Sequence, residues 1–385
     1  MKRLRTTLIR LVLLLLTPCS VLRAAEPAAL SAAALPDGLY AEFSTPRGAV
    51  VCELFFAQTP LTVASFVGLA EGTLGPAPRK PYYDGLKFHR VVADFVVQGG
   101  DPLGTGEGDP GYKFPDEFVP GLRHDAAGML SMANGGPDSN GSQFFFTLRE
   151  VNRLNYLHTV FGRVVRGLEV VPQIKQGDAF SVKILRVGAA ARAFRADDAA
   201  FAALVAKTKP YAGAAEPGPA THFDDPARVL PTEPSRAAAF NTKLANFERA
   251  TGVKIAGRIL AKSPSPAEDA QPGAYMRALA TKLGTARRGA LAVYFADEDD
   301  WRVWLGDEST AAFVGRPGTA AELTKSGAIH DTKEAFLKAA QEAGQAAYDR
   351  QQKSSPPDRP PPPGQRVKLQ TDALLDALIF RLEPK

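Results

Sequence analysis

Most apolar runs between Leu39 and Val187 are too short for a helix, and glycine- or proline-bearing turns separate them, so this stretch can build a core only from many short paired strands. The first two candidates, residues 39–44 and 49–55, flank Thr45-Pro46-Arg47-Gly48 and read as a hairpin. Further strands are predicted at 87–91, 95–98, 128–133, 144–148, 161–165 and 181–187. One helix is expected after the Thr59-Pro60 start, where Val63, Phe66, Val67 and Ala70 recur at helical spacing until Gly72 stops it. A second is expected at 168–175, after Gly167. Short strands with two helices suggest a closed antiparallel barrel capped at its ends; composition alone does not separate that from a sandwich.

A length of 385 residues suits two domains. Lys2, Arg3, Arg5 and Arg10, then the apolar run 11–16, then Ala24 and Ala25, follow the order of a secretory signal and are too short to span a bilayer. Residues 1–25 are therefore expected to be a leader, and the mature protein to be exported to the periplasm or cell envelope. Pro18 stands directly before Cys19, where a lipid-attachment motif needs a small residue, which argues against a lipid anchor. The formal net charge of +5 falls to 0 without residues 1–25, which hold five basic residues (Lys2, Arg3, Arg5, Arg10, Arg23) and no acidic ones. A near-neutral chain with no Lys/Arg run has no electrostatic footprint for nucleic acid. Only Cys52 would then remain, so no intramolecular disulfide is expected and its thiol reads as core packing.

From Ala189 the pattern changes. A short amphipathic helix at 197–207 and a Pro/Gly-rich connector from Pro210 to Pro234 make residues 191–234 a helix and linker. Residues 235–352 alternate helix and strand: a helix with Phe240, Leu244 and Phe247 ending at Gly252, strands at 253–260, 290–295 and 302–305, and helices at 275–283 and 333–352. That order argues an α/β sandwich. Residues 353–385 hold a proline-rich spacer, Ser354 to Gly364, and a last helix at 371–382.

The two densest blocks are Phe88-His89-Arg90-Val91-Val92-Ala93-Asp94-Phe95-Val96-Val97-Gln98-Gly99-Gly100-Asp101 and residues 130–146, which include Ala133-Asn134-Gly135-Gly136 and Gln143-Phe144-Phe145-Phe146. With His158-Thr159-Val160-Phe161-Gly162 they resemble, in order and spacing over residues 38–188, the cyclophilin family of peptidyl-prolyl isomerases. The resemblance implies that residues 37–190 form an eight-stranded barrel with a substrate groove on its outer face. It also implies an enzyme that rotates Xaa-Pro bonds in proline-containing peptides or unfolded exported proteins, and so assists folding. The pieces Phe247-Glu248-Arg249-Ala250-Thr251-Gly252-Val253-Lys254-Ile255, Arg288-Gly289-Ala290-Leu291-Ala292-Val293-Tyr294 and Trp301-Arg302-Val303-Trp304-Leu305-Gly306 are similar to a TPM domain, an envelope-associated α/β module. Gly306-Asp307-Glu308 departs from the glycine-aromatic-glycine ending of that module, and the pattern names no partner for this region.

A prolyl bond rotates over a barrier of ~20 kcal/mol because the nitrogen lone pair is delocalised into the carbonyl. Catalysis needs neither nucleophile nor metal; it needs a donor for the lone pair released by twisting, a pocket for the ring and anchors for flanking peptide. No cofactor is implied. Arg90 matches the family's catalytic arginine, whose permanently charged fork suits that donor role. Phe95, Val96, Phe145, Leu154 and His158 match the proline pocket, with Val96 where the family usually has methionine, a smaller and stiffer filler. Gln98, Asn134 and Gln143 match the peptide anchors, and Gly104, Ala133 and Gly135 match positions of close backbone approach. In Val151-Asn152-Arg153-Leu154-Asn155-Tyr156-Leu157-His158 the chain departs from the family. There the family shows a tryptophan or other ring at the Arg153 position and Asp-Gly-Lys before the histidine, so weak cyclosporin binding is expected. His89, His124, His158, His222 and His330 have no metal-ligand spacing, and His89 reads as structural. The glycines of Gly104-Thr105-Gly106-Glu107-Gly108 lack the strand-to-helix setting of a dinucleotide site. A cyclophilin-like binding or chaperone module with little turnover is the alternative, and Arg90 with Gln98 favours the enzyme.

Overall fold

The structure, a computed structural model, describes residues 35–208, 221–356 and 358–385. The expected leader, Cys19 and the centre of the expected linker lie outside them. The first sheet contains β1 (Gly38–Thr45), β2 (Gly48–Leu54), β3 (Arg90–Val92), β4 (Val96–Gly99), β5 (Met129–Met132), β6 (Phe144–Thr147), β7 (Val160–Arg166) and β8 (Ser181–Val187). All neighbours pair antiparallel in the order β3-β4-β6-β5-β7-β2-β1-β8.

The eight expected strands are present, but the sheet does not close into the expected barrel. Its edges β3 and β8 do not pair; the chain segments before them meet in a short bonded stretch around the isolated bridge of Lys87 with Ala179. The reason is local. β3 spans three residues, and the backbone of Phe88 has already bonded across to Asp178 and Gly177 before β3 begins, so no ladder continues. The expected helix after Gly167 is reduced to a 3-10 turn at Val171–Gln173, where Pro172 has no N–H to donate and Gly177 follows closely.

Helix α1 (Pro60–Glu71) fills the concave side of this sheet and ends on Gly72 at φ 73°, a left-handed conformation that glycine adopts without strain. Thr59 does not cap it with its side chain. The Glu117 carboxylate takes that place from a distance in sequence, accepting from the N–H groups of Leu61 (3.1 Å) and Thr62 (2.7 Å). The core holds Phe43, Phe66, Phe144, Phe146 and Phe161, with Cys52 fully buried among them and its thiol pKa pushed up by burial. After β8, α2 (Gly188–Ala193) packs on β1 and β8, and α3 (Asp198–Lys207) folds back on α1. Asp197 caps α3, and Phe201 packs on Tyr112 at 5.1 Å between ring centres.

A second sheet/helix region follows. Its strands are β9 (Phe223–Asp224), β10 (Lys254–Leu260), β11 (Gly289–Phe295) and β12 (Asp300–Leu305), in the order β12-β11-β10-β9, with β12 antiparallel to β11 and the others parallel. Its helices are α4 (Arg236–Thr251), α5 (Ala274–Lys282), α6 (Thr310–Val314), α7 (Ala320–Lys325), α8 (Ala328–Ser354) and α9 (Gln365–Leu382). Strand β9 lies inside the stretch read as linker, which therefore contributes an edge to the sheet. Along β11, Ala290, Ala292 and Tyr294 face α4, α8 and α9, while Leu291, Val293 and Phe295 face α5. The proline-rich segment does not hold the last helix away. It turns α9 back along α8, so closely that a Cβ at Gly344 would fall 2.5 Å from the Gln370 Cα. Both helices begin earlier than expected, at Ala328 and Gln365. This region also takes in two side chains of the first, Phe118 and Tyr156.

Candidate active site

Strand pairing sets Arg90 on β3 opposite Gln98 on β4, Gln98 opposite Phe145 on β6, and Phe145 opposite Ser131 on β5. Directly paired residues share a sheet face, so these four stand in one row across the outer surface. Val97, Phe144 and Phe146 point inward to the core. The polar members are wired together: Arg90 Nη1 donates to Gln98 Oε1 (3.1 Å), and Gln98 Nε2 donates to Gln143 Oε1 (2.9 Å). Gln143 Nε2 in turn donates to the carbonyls of Gly106 (2.8 Å) and Gly108 (2.9 Å). The Asp101 carboxylate shapes that loop by accepting from the N–H groups of Leu103 (2.8 Å) and Gly106 (2.5 Å).

The apolar side of the row is built from rings. Phe145 is 4% exposed, with His124 stacked against it at 5.8 Å and His158 edge-on at 5.6 Å. His158 Nδ1 lies 3.0 Å from the Met132 carbonyl, which can only accept, so that nitrogen carries the proton. Burial lowers the His158 pKa to about 4 and the His124 pKa to about 3, so both imidazoles are neutral at pH 7. Phe95 is half-buried between two guanidiniums, Arg90 at 5.9 Å and Arg153 at 4.3 Å from its ring centre.

The rim carrying Arg153 is a 3-10 turn, Asn152–Leu154, followed by Tyr156 at φ 61°. Several contacts hold this turn. The Asn155 side-chain oxygen accepts from the His124 backbone N–H (2.8 Å), and Asn134 Nδ2 donates to the Leu157 carbonyl (2.9 Å). From the second region, Lys243 Nζ donates to the Asn152 carbonyl (3.2 Å) and pairs with Asp376, and Asn246 Nδ2 donates to the Tyr156 carbonyl (2.9 Å). The Tyr156 ring packs on Phe247 at 5.1 Å, and its hydroxyl donates to Glu383, which also pairs with Arg123.

Residues 40–189 match the model of the cyclophilin type peptidyl-prolyl cis-trans isomerase family. The peptidyl-prolyl cis-trans isomerase A of Mycobacterium tuberculosis is 51% identical over 132 residues, covering 32% of this chain and 72% of that protein. The mouse peptidyl-prolyl cis-trans isomerase-like 1 is 45% identical over 142 residues, covering 36% of this chain and 80% of that protein. The chain belongs to the cyclophilin family. A crystal structure of a Cryptosporidium parvum cyclophilin type isomerase shares 32% identity and covers 39% of this chain and 98% of that one, with a TM-score of 0.34.

As a cyclophilin-type peptidyl-prolyl isomerase, the protein has its reaction in common with these relatives, and the row of side chains can be read against the residues expected from the sequence. Arg90, Gln98, Gln143, Phe145, Phe95, Arg153 and His158 converge on one surface. Val96 lies two residues from Gln98 on the same strand face and is 2% exposed. Ala133 donates its N–H to the Gln143 carbonyl (3.0 Å), and the Leu154 carbonyl accepts from the N–H groups of Leu157 (3.1 Å) and His158 (3.2 Å). Two glycines fall outside the bonded set: Gly104 turns its N–H to the Asp101 carbonyl (3.3 Å), and Gly135 donates to Ser139 Oγ (3.0 Å). Gly106 and Gly108 make the contact to Gln143 instead. Sequence reasoning missed His124, Asn155, Lys243 and Asp376 as supports of the rim. Only Tyr156 carried a signal, since it stands where the family has glycine.

Proposed function

We propose that Arg90 is the catalytic donor of this isomerase. As the Xaa-Pro bond twists, conjugation is lost and the proline nitrogen regains a lone pair that can accept a hydrogen bond. Arg90 is exposed at the row's end, and its Nη1 is held by Gln98, which leaves other guanidinium N–H groups for that nitrogen. The observation that carries this reading is the Arg90–Gln98–Gln143 chain beside Phe145, because it fixes a charged donor next to an apolar ring surface before substrate arrives. Phe95, Val96, Phe145, Leu154 and His158 take the proline ring. Gln98, Gln143, Asn134 and the backbone at Gly104, Ala133 and Gly135 hold the flanking peptide. Each 1.36 kcal/mol removed from the barrier is worth about tenfold in rate. Arg90→Ala is expected to lower kcat/KM in a protease-coupled Xaa-Pro assay by about a hundredfold or more, and Arg90→Lys to restore little of it. An unchanged rate in Arg90→Ala refutes the assignment.

The clients are read as exported proteins, a reading supported by the basic, apolar and small-residue order of residues 1–25. A reporter fused behind residues 1–30 is expected to leave the cytosol and be cut near Ala24–Ala25; an uncut cytosolic reporter would contradict export. Strands β10 to β12, with α4 and α8 on one face and α5 on the other, support reading residues 235–352 as TPM-like, next to an isomerase at 37–190.

A further inference from the structure

Between the rim of the groove and helices α6, α8 and α9 lies a cleft of about 960 Å³. Arg153 belongs to both spaces: its guanidinium covers Phe95 in the groove and also lines the cleft. The cleft floor is apolar, with Phe313, Leu369, Ala373 and Ala377. Its charges do not balance. Asp372 is paired with Lys368, Asp376 with Lys243, and Arg123 with Glu383. The other four guanidiniums, on Arg149, Arg153, Arg350 and Arg381, form no ion pair among the described residues. Arg149 and Arg381 donate only to backbone carbonyls, those of Asp94, Glu150 and Phe313, which fixes their positions without neutralising them. Two carboxylate side chains outside those pairs, the exposed Asp125 and Glu150, stand against these four and the exposed Lys385, which also lines the cleft.

We propose that this cleft extends the peptide site and receives the substrate segment flanking the isomerised proline, with a preference for segments that carry carboxylate side chains beside an apolar one. Continuity through Arg153 supplies the route from the groove, and the arginine surplus over an apolar floor supplies the selectivity, since guanidiniums pair with carboxylates in a bidentate geometry. The inference rests on the groove assignment above; it concerns which peptides are favoured, not whether turnover occurs.

The test uses the full chain and five peptides around one Ala-Pro core: one unextended, and four extended by Leu-Glu-Glu or Leu-Lys-Lys on the N-terminal or the C-terminal side of the core. NMR exchange spectroscopy reads cis-trans turnover for all of them. On one side the glutamate peptide is expected to have kcat/KM at least about fivefold above the lysine peptide, mainly through KM, the size of one partly screened ion pair. In Arg350→Glu this ratio should fall to about one or below. The ratio is unaffected by a uniform loss of active protein. Equal turnover on both sides, or a ratio that survives Arg350→Glu, overturns the proposal. If even the unextended peptide is not turned over, the groove assignment fails separately. Fluorescence anisotropy of labelled peptides then decides the cleft: a glutamate preference lost in Arg350→Glu supports it, and no preference overturns it.

Discussion

The guanidinium of Arg153 lies 4.3 Å above the ring of Phe95 and so lays a charged lid on an apolar wall of the groove. Burial lowers the Arg153 pKa, and the charges of Asp372 and Asp376 on α9 partly counter that shift. The second region therefore sets the surroundings of a rim side chain.

Arg153 should weaken cyclosporin binding. A tryptophan there would supply an indole N–H worth ~1 kcal/mol and apolar contact worth ~1.5–3 kcal/mol. Affinity is expected to be about 10²-fold below that of a tryptophan-bearing rim, at ~1.4 kcal/mol per decade. Titrating wild type and Arg153→Trp in the isomerase assay checks this; nanomolar inhibition of the wild type would contradict it. Turnover of short peptides should change far less.

Lys243 is 2% exposed and binds both Asp376 and the Asn152 carbonyl, so removing it strands a carboxylate in a site where burial already raises its pKa. Lys243→Met is expected to cost about 3 kcal/mol or more in denaturant unfolding. Adding Asp376→Leu should recover much of that loss, since it removes the stranded charge. Equal stability of the single and double variants would mean the pair is not coupled.

Tyr156 holds φ 61°, a left-handed conformation that costs a residue with a Cβ about 1 kcal/mol or more. The ring's burial between Phe118 and Phe247 and the hydroxyl's bond to Glu383 offset that cost. Tyr156→Ala should destabilise the protein by about 3 kcal/mol. Hydrogen exchange at residues 152–158 should accelerate with it. Unchanged exchange there would show that the second region does not hold the rim.

Acidification should destabilise the fold. His124 and His158 have folded pKa values of about 3 and about 4, below the unfolded value of ~6.5, so the unfolded chain binds their protons first and stability falls as pH drops below ~6.5. Asp116 acts in the opposite sense. Burial raises its pKa to about 6, so the folded state takes its proton first and gains between pH ~6 and ~4. Two histidines at up to ~2 kcal/mol each outweigh one carboxyl at about 1 kcal/mol between pH 7 and pH 5. Urea unfolding should therefore show lower stability at pH 5, with a flatter pH slope in His124→Gln and a steeper loss in Asp116→Asn. Greater stability at pH 5 would reverse the assigned signs. With both imidazoles neutral throughout, kcat/KM should stay flat from pH 6 to 8.

The residues proposed for the groove could be named from the sequence because its blocks resemble the cyclophilin family in order and spacing; strand pairing then sets Arg90, Gln98 and Phe145 in one row, with Phe95 in the turn before β4 and Gln143 just before β6. The strands of the first sheet could be read from short apolar runs between turns. Closure of the sheet could not, since it depends on whether β3 and β8 meet, and backbone bonds between distant segments decide that. Composition read the stretch before Pro234 as linker, yet Phe223 there pairs with Gly257. Nor could local pattern show that the proline-rich turn folds α9 back against the groove's rim. There Lys243, Tyr156 and Glu383, separated by 87 to 227 positions, meet around one turn. Sequence by itself pointed to prolyl isomerisation, because the residue types and spacing of the blocks that resemble the cyclophilin family are local features. Tertiary structure alone decided that a second region packs against and supports the rim, because burial and charge pairing across the chain have no local signature.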